Sequence, residues 1–389
     1  MSDLSRINLI VDKLPIYDGS ENLGEHCPTA PDLLCAILSP EVRQPAIAAG
    51  VTEALLQQLN DPGVALLDRW VKFQPYWERI LNCSPAAVYA AAIRLMADAE
   101  LSPLTIDAVN RLYNESDGIA ALSRGGITRC VVGTDIISDG LNNEIFCPVF
   151  NIENFICPEC ERVCRELEKL AVMTINGFDD WLRATELAIN KLVVNGISAL
   201  RISIPLRTLS EPTREEAETA FKKLTDGNID GKETFCRWMI RHVMRLCQHL
   251  SLCVQLRNVA IPDYAEARTF FLEYHKVRFD IITDRFLYHV KYLPNVYWNM
   301  GRLCAFKPCH AVRLLAEAFL EIPVHKISLI GGGFYHPWPA AGAATRTRRL
   351  LSVFLYSALR QGAIDEKRLE YLARLWLYDN PAALYESKK

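Results

Sequence analysis

The sequence predicts an α/β protein, a (β/α)8 barrel of the TIM type with a helical insertion between strands 1 and 2. Three observations carry the prediction. Eight short apolar, β-rich runs lie along the chain. Most are continuously apolar rather than alternating, as strands covered on both faces are, and long helical patterns separate several of them. Strand and helix repeated to the number eight close as a parallel barrel.

The strands are read as INLIVDKL (7–14), ITRCVVG (127–133), FCPVF (146–150), SALRISIP (198–205), LCVQLR (252–257), VRFDII (277–282), NVYWNM (295–300) and KISLIGG (326–332). Helices such as DDWLRATELAINKLVVNG, TREEAETAFKKL and CRWMIRHVMRLCQHL lie between them. Between strands 2 and 3, residues 134–145 are too few for a full crossover helix. Residues 30–125 read as helices throughout and form an insertion packed over or beside the C-terminal mouth. The whole chain, 1–389, is expected to be one domain. The tail KRLEYLARLWLYDNPAALYESKK is an amphipathic helix expected to stop near Asp379, Asn380 and Pro381.

Half of the 389 residues are hydrophobic, 23% are charged and the formal net charge is -3, so the chain can bury a large core. That balance predicts neither nucleic-acid nor membrane partners. The N-terminus lacks the pattern of a secretory signal, and no stretch approaches the roughly 18 apolar residues of a membrane span. A cytoplasmic protein is expected. Thirteen cysteines is an odd number, and Cys130 and Cys253 sit among apolar neighbours, so buried thiols are expected rather than disulfides.

Barrel chemistry is sought at the C-terminal ends of the strands. In order these are Leu14 and Ile16, Arg201, Arg257, Thr283 and Gly333, and none is a good transition-metal ligand. The tail DNPAALYE, HKISLIGGGF with TRTRRLL after it, LPNVYWNM, LCVQLR and the insertion segment DRWVKFQPYWERI resemble the amidohydrolase-related group of the amidohydrolase superfamily. The resemblance runs in order along nearly the whole chain. It implies a metal-dependent hydrolase barrel with a His-x-His pair at strand 1, a Lys or similar ligand at strand 4, His at strands 5 and 6, and Asp at strand 8. Leu14 and Ile16, Arg201, Arg257, Thr283 and Gly333 stand at those positions here, so all depart from the pattern. Neither an aliphatic side chain nor a guanidinium can ligate a divalent ion. No metal is therefore expected; zinc or manganese would be the metal if the ligands lie elsewhere.

Arg201 and Arg257 are cations where the resemblance implies a cation, and a buried guanidinium needs an anion to answer it. Asp280, Asp284 or Asp12 could serve, or a small anionic ligand gripped bidentately. Gly331, Gly332 and Gly333 could cradle phosphate or simply make a tight turn. His336, beside Tyr335 and Trp338, could transfer protons, support a sugar ring or be structural. Cys157, Cys160 and Cys164 share a helix face and are read as core rather than, with Cys147, as a metal knuckle. His242 and His249 fall on an outer helix, and TRTRRL (345–350) reads as a surface or subunit contact.

Two functions from different classes remain open. The first is a pseudoenzyme that acts through binding or assembly, with a small anion, a protein partner or a second copy. The second is an active hydrolase, decarboxylase or isomerase on a carboxylate or sugar-acid substrate, metal-free or with displaced ligands such as Asp12, His26, Asp284 and His336.

Overall fold

Seven of the eight predicted strands form where their apolar runs lie, and the first does not. The structure is a computed structural model and describes residues 3–23, 30–135, 144–156, 161–203, 210–257, 264–285 and 288–386. One sheet holds β1 (Ile16–Glu21), β2 (Ile127–Thr134), β3 (Phe146–Asn151), β4 (Ala199–Ile202), β5 (Cys253–Arg257), β6 (Arg278–Ile282), β7 (Val296–Asn299) and β8 (Ile327–Ser328), in that order. The ladders from β3 to β7 are parallel. Past β8 the chain bonds back to β1, with Gly19 N–H on the Ile330 carbonyl at 3.1 Å and Gly333 N–H on the Ser20 carbonyl at 2.9 Å. This is the (β/α)8 barrel the apolar runs imply.

Residues 3–12, expected to run into a strand, instead form the helix Asp3–Asp12. Ile7 and Val11 are four apart and buried while Leu9 is 50% exposed, so the apolar run has helical period. The true β1, IYDGSE, carries acids and a glycine that in isolation read as a turn. The end of the chain also differs from expectation. It passes Asp379 through a π-helical turn, Leu375–Asp379, into the helix Asn380–Tyr385. A wider turn lets Pro381 enter at the start of a new helical segment, where its missing N–H is not needed.

The chain divides into two compact units: Met1–Cys130 with Met300–Leu320 and Ser328–Pro381, and Val131–Asn299 with Glu321–Ile327 and Ala382–Lys389. The first contains the insertion between β1 and β2, helical from Leu33 to Arg124. Its core, with Trp70, Phe73, Trp77, Ile93 and Tyr113, takes in Trp338 and Ala341 of the helix Pro337–Arg360. Gly342 allows that helix to meet Ser84–Ala97, because a Cβ there would overlap the Val88 carbonyl and lie 2.8 Å from Ala92 N. Arg348, expected on the surface, is buried and bonds the Gly125 carbonyl at 2.9 Å and the Leu14 carbonyl at 2.5 Å. It ties together the chain entering β2 and the chain entering β1.

In the second unit Phe279 of β6 packs on Phe270 and Phe271 of the helix Tyr264–Glu273, with ring centroids 6.0 and 4.8 Å apart. The two-residue period of a strand then turns Arg278, Asp280 and Ile282 to the opposite, interior face. Register carries that face across the ladders, so Asn151, Arg201, Gln255 and Asp280 form one row on β3, β4, β5 and β6. Among the described residues no single helix is long and apolar enough to cross a membrane.

Gly342→Ala is expected to lower unfolding stability by about 1–3 kcal/mol through overpacking. Gly177→Ala, where nothing lies within 4 Å of an added Cβ, should change it by less than about 0.5 kcal/mol. Urea unfolding of the two variants side by side checks the helix contact.

Candidate functional site

Two buried polar clusters carry the chemistry, one in each unit. In the second unit the row on β3 to β6 is built around Arg201, which is 2% exposed. Its Nε–H donates to Gln255 Oε1 at 2.6 Å. That bond fixes the amide, so Gln255 Nε2 faces the other way and donates to Tyr385 Oη at 2.5 Å and to Asp280 Oδ2 at 3.3 Å. Tyr385 in turn donates its hydroxyl to Asp280 Oδ2. Asn299 of β7 approaches the same oxygen at 3.5 Å. Burial pushes the Asp280 carboxyl up to about 6, against these donors and the field of Arg201. The other side of Arg201 lies against Gly133 of β2. A Cβ at Gly133 would overlap Arg201 Nη1 and sit 2.8 Å from Cζ. Asn151 Oδ1 is 3.3 Å from that same Cβ position.

Tyr385 reaches the row from the N-terminal end of the strands. Arg278, the first residue of β6, donates to the Ala383 carbonyl at 2.8 Å, and two residues further along the chain Tyr385 meets Asp280, two residues up the strand. Below the row Lys326 donates to the carbonyls of Leu293, Pro294 and Val296 at 2.6, 2.7 and 3.1 Å. Burial pulls its ammonium down to about 8.

In the first unit the cluster stands on β1. Asp18 and Glu21, each 1% exposed, are neighbouring buried carboxyls, and each is held above the usual carboxylate range. Burial pushes Asp18 up to about 6, opposed by its hydrogen bonds with Glu21 and with Ser20 N–H. Glu21 is raised well above the usual carboxylate range by burial first and by the charge of Asp18 second. Its Oε1 accepts Gly332 N–H at 2.8 Å and its Oε2 accepts Phe334 N–H. Asn22 Nδ2 donates to the Gly333 carbonyl at 3.0 Å.

The structure places the residues singled out from sequence as follows. Arg201 lies in the interior row, whereas Arg257 ends β5 half-buried beside Ile282 in register. Leu14 and Ile16 are at the N-terminal end of β1, away from the end where barrel chemistry occurs, because the strand starts two residues after Leu14. Asp18, Ser20 and Glu21 hold the positions nearer that end. Thr283 lies just past β6, its hydroxyl accepting Arg285 N–H at 3.3 Å. Gly331 and Gly333 have φ of 140° and 75°, conformations that favour glycine. The amides a phosphate would use are donated to Glu21 from Gly332 and to the Ser20 carbonyl from Gly333.

His336 caps the helix Pro337–Arg360, its Nδ1 accepting Trp338 N–H at 3.2 Å, and stacks on Tyr113 at 4.4 Å. Burial lowers its pKa to about 4, so the ring is neutral. Asp12 pairs with Arg349 at 3.0 Å, Asp284 is exposed, and His242 is on the helix Lys232–Leu250. His26, Cys157 and Cys160 lie outside the described residues. Asp18, Glu21, Gly133, Asn151, Gln255, Asn299 and Tyr385 were not foreseen. A signal for the three strand residues Asn151, Gln255 and Asn299 was present, since each is an isolated polar residue in an apolar run at the spacing of one face.

The class of architecture follows from the strands: a (β/α)8 barrel. The chain is similar in structure to uronate isomerase from Thermotoga maritima, with 14% identity over 98% of this chain and 97% of that one and a TM-score of 0.82. Glucuronate isomerase from Caulobacter crescentus (12% identity, 99% and 94% covered, TM-score 0.79) and a uronate isomerase from Bacillus halodurans (10%, 99% and 96%, 0.70) share the fold. No family model matches the chain, and no curated protein matches it in sequence.

The resemblance implies a divalent metal, and the donors among the described residues do not fit one. Among the described residues no three His, Cys, Asp or Glu side chains converge. Both oxygens of Glu21 accept backbone N–H groups, and the interior row already contains a fixed guanidinium that would repel a second cation.

The carboxyl pair gives a pH dependence whose sign follows from its raised pKa. Asp18 has a folded value of about 6 against 3.8 for the free side chain, so its contribution is complete below the free value and is lost as pH rises through about 6. Asp18→Asn should therefore flatten the fall in Tm between about pH 4 and about pH 7, with a difference of about 3 kcal/mol at stake over the whole window. Thermal melts across that range check it; a variant as pH-sensitive as the native chain would remove Asp18 as the cause.

Proposed function

We propose that this chain is a metal-independent, cytoplasmic barrel that binds a small carboxylate of the sugar-acid class without turning it over. The observation that carries the reading is Arg201, a guanidinium fixed in the strand row by its Nε–H bond to Gln255 within the field of Asp280. A barrel with its own cation in that row has no generator of activated water there. Arg257, half-buried, ends β5 at the end of the barrel where ligands bind, and its guanidinium is the group proposed to meet a ligand carboxylate. The sugar-acid class is drawn from the uronate isomerases that share the fold. The described cysteines are free thiols, in keeping with a reducing compartment.

A second reading, isomerisation by proton transfer, is favoured by Asp18 and Glu21, two buried carboxyls on β1 that are both raised above the usual carboxylate range. One carboxylate can take a proton from the carbon beside an aldehyde while the protonated partner gives one to the carbonyl oxygen, forming an enediol; the first proton then goes to the former carbonyl carbon as the neighbouring hydroxyl returns one to the partner. No net oxidation and no cofactor are needed.

Titration with glucuronate separates the two. Binding without conversion is expected, with affinity falling at least about tenfold in Arg257→Ala and with less than about one-tenth of an equivalent of metal in protein purified without chelator. Isomerisation that survives chelator would establish the second reading. Conversion that depends on stoichiometric zinc or manganese would overturn both.

A further inference from the structure

We infer that the interior of strands β2 to β6 is a cation site built for a guanidinium, and that Arg201 supplies that ligand from within the chain. The inference rests on the metal-independent reading above and specifies what the interior has become instead.

The site has a shape, a set of acceptors and a counter-charge. Its shape is a notch at Gly133, where any side chain would collide with Arg201 Nη1 and approach Cζ to 2.8 Å. A notch one Cβ deep accommodates a flat group, and the guanidinium is the flat cation among side chains. Its acceptor for Nε is Gln255 Oε1 at 2.6 Å, and Asn151 Oδ1 lies beside the notch, 3.3 Å from where a Gly133 Cβ would stand. Its counter-charge is Asp280, fully buried and held by Tyr385 and Gln255. Asn151, Arg201, Gln255 and Asp280 are register partners on consecutive strands, so the barrel itself sets their spacing. Amide oxygens in a row with one carboxylate suit a planar, delocalised cation, whereas a divalent ion wants several anionic or imidazole donors converging on a point.

A site of this kind outlives its tether. Removing the side chain leaves a polar cavity that the matching free ion can occupy, as side-chain-sized cavities elsewhere accept ligands resembling what was removed. Arg201→Ala should lose several degrees of Tm. Low-millimolar guanidinium or methylguanidinium should restore a substantial part of that loss in the variant and leave the native chain unchanged. Urea has the same shape without charge and should restore nothing; sodium, magnesium and zinc ions carry charge without the shape and should also fail.

Rescue by urea equal to that by guanidinium would overturn the charge argument, rescue by a divalent ion would overturn the shape argument, and absence of any rescue would overturn the site. Gly133→Ala keeps the question open to test should Arg201→Ala not fold. It must lower Tm by several degrees in the native background, and a neutral Gly133→Ala would overturn the notch. In a foldable Arg201→Ala background the added methyl should cost little and should block guanidinium rescue. Metal content and turnover decide the reading on which this rests, and neither enters the rescue measurement.

Discussion

Placing a guanidinium inside a barrel is the constraint from which most of the second unit's interior follows. A charge of that size taken from water costs several kcal/mol even after the protein relaxes, and acceptors must offset it in place. Arg201 Nε claims the oxygen of Gln255, which leaves the amide only one orientation. The nitrogen of Gln255 then needs acceptors, and it finds Tyr385 and Asp280. Tyr385 is available only because the C-terminal helix is anchored by Arg278 at the foot of β6. A residue on β4 thus sets the path of the chain nearly two hundred residues later. Gly133 completes the arrangement, since the fork fits only where β2 has no side chain.

The β1 cluster solves the opposite problem by the same means. The glycine run after β8 offers backbone N–H groups in left-handed and extended conformations, a geometry suited to anions. Glu21 fills it with a carboxylate from the chain itself. Asp18 adds a second buried carboxyl beside it; burial raises both, and the charge of Asp18 raises Glu21 further. A free anion would have to displace Glu21, and a free cation would have to displace Arg201. On the proposed function, a ligand would be met nearer the strand ends, where Arg257 stands.

The sequence showed the barrel more readily than its interior, for a physical reason. Seven strands are outlined by continuous apolar runs, because their outward faces lie under helices and much of the rest is apolar as well. β1 escaped because Asp18, Gly19, Ser20 and Glu21 are turn-forming residues that become a strand only when both edges are hydrogen-bonded by neighbours distant in sequence. That error moved the strand-1 site positions to Leu14 and Ile16 and hid two carboxylates. Arg201 was legible because a charged residue interrupts an apolar run, and its partner Asp280 was legible as a nearby acid. Tyr385 and Gly133 were not, since nothing local to either reveals which side chain will arrive from another strand or from the end of the chain. Arg348 looked like surface for the same reason: its acceptors are carbonyls at residues 14 and 125.

Strand alternation also explains how so much architecture coexists with 10–14% identity to the isomerases of the same fold. The outward residues of β5 to β7, such as Leu256, Phe279, Ile281 and Trp298, are buried and apolar, and Phe279 can be seen packing on its helix. They carry the hydrophobic stabilisation of the barrel. The inward residues contribute little apolar area but hold the charges, so they can be exchanged while the outward set keeps the strands in register. An exchange is tolerated only if the interior remains satisfied, because a lone buried charge destabilises by several kcal/mol. Arg201 with Gln255, Asp280, Tyr385 and Gly133 is one such interlocked set. Its members are interdependent, so loss of any one leaves the others with unmet groups, and the set is best understood as a single unit of change within a fold that does not depend on which chemistry its interior performs.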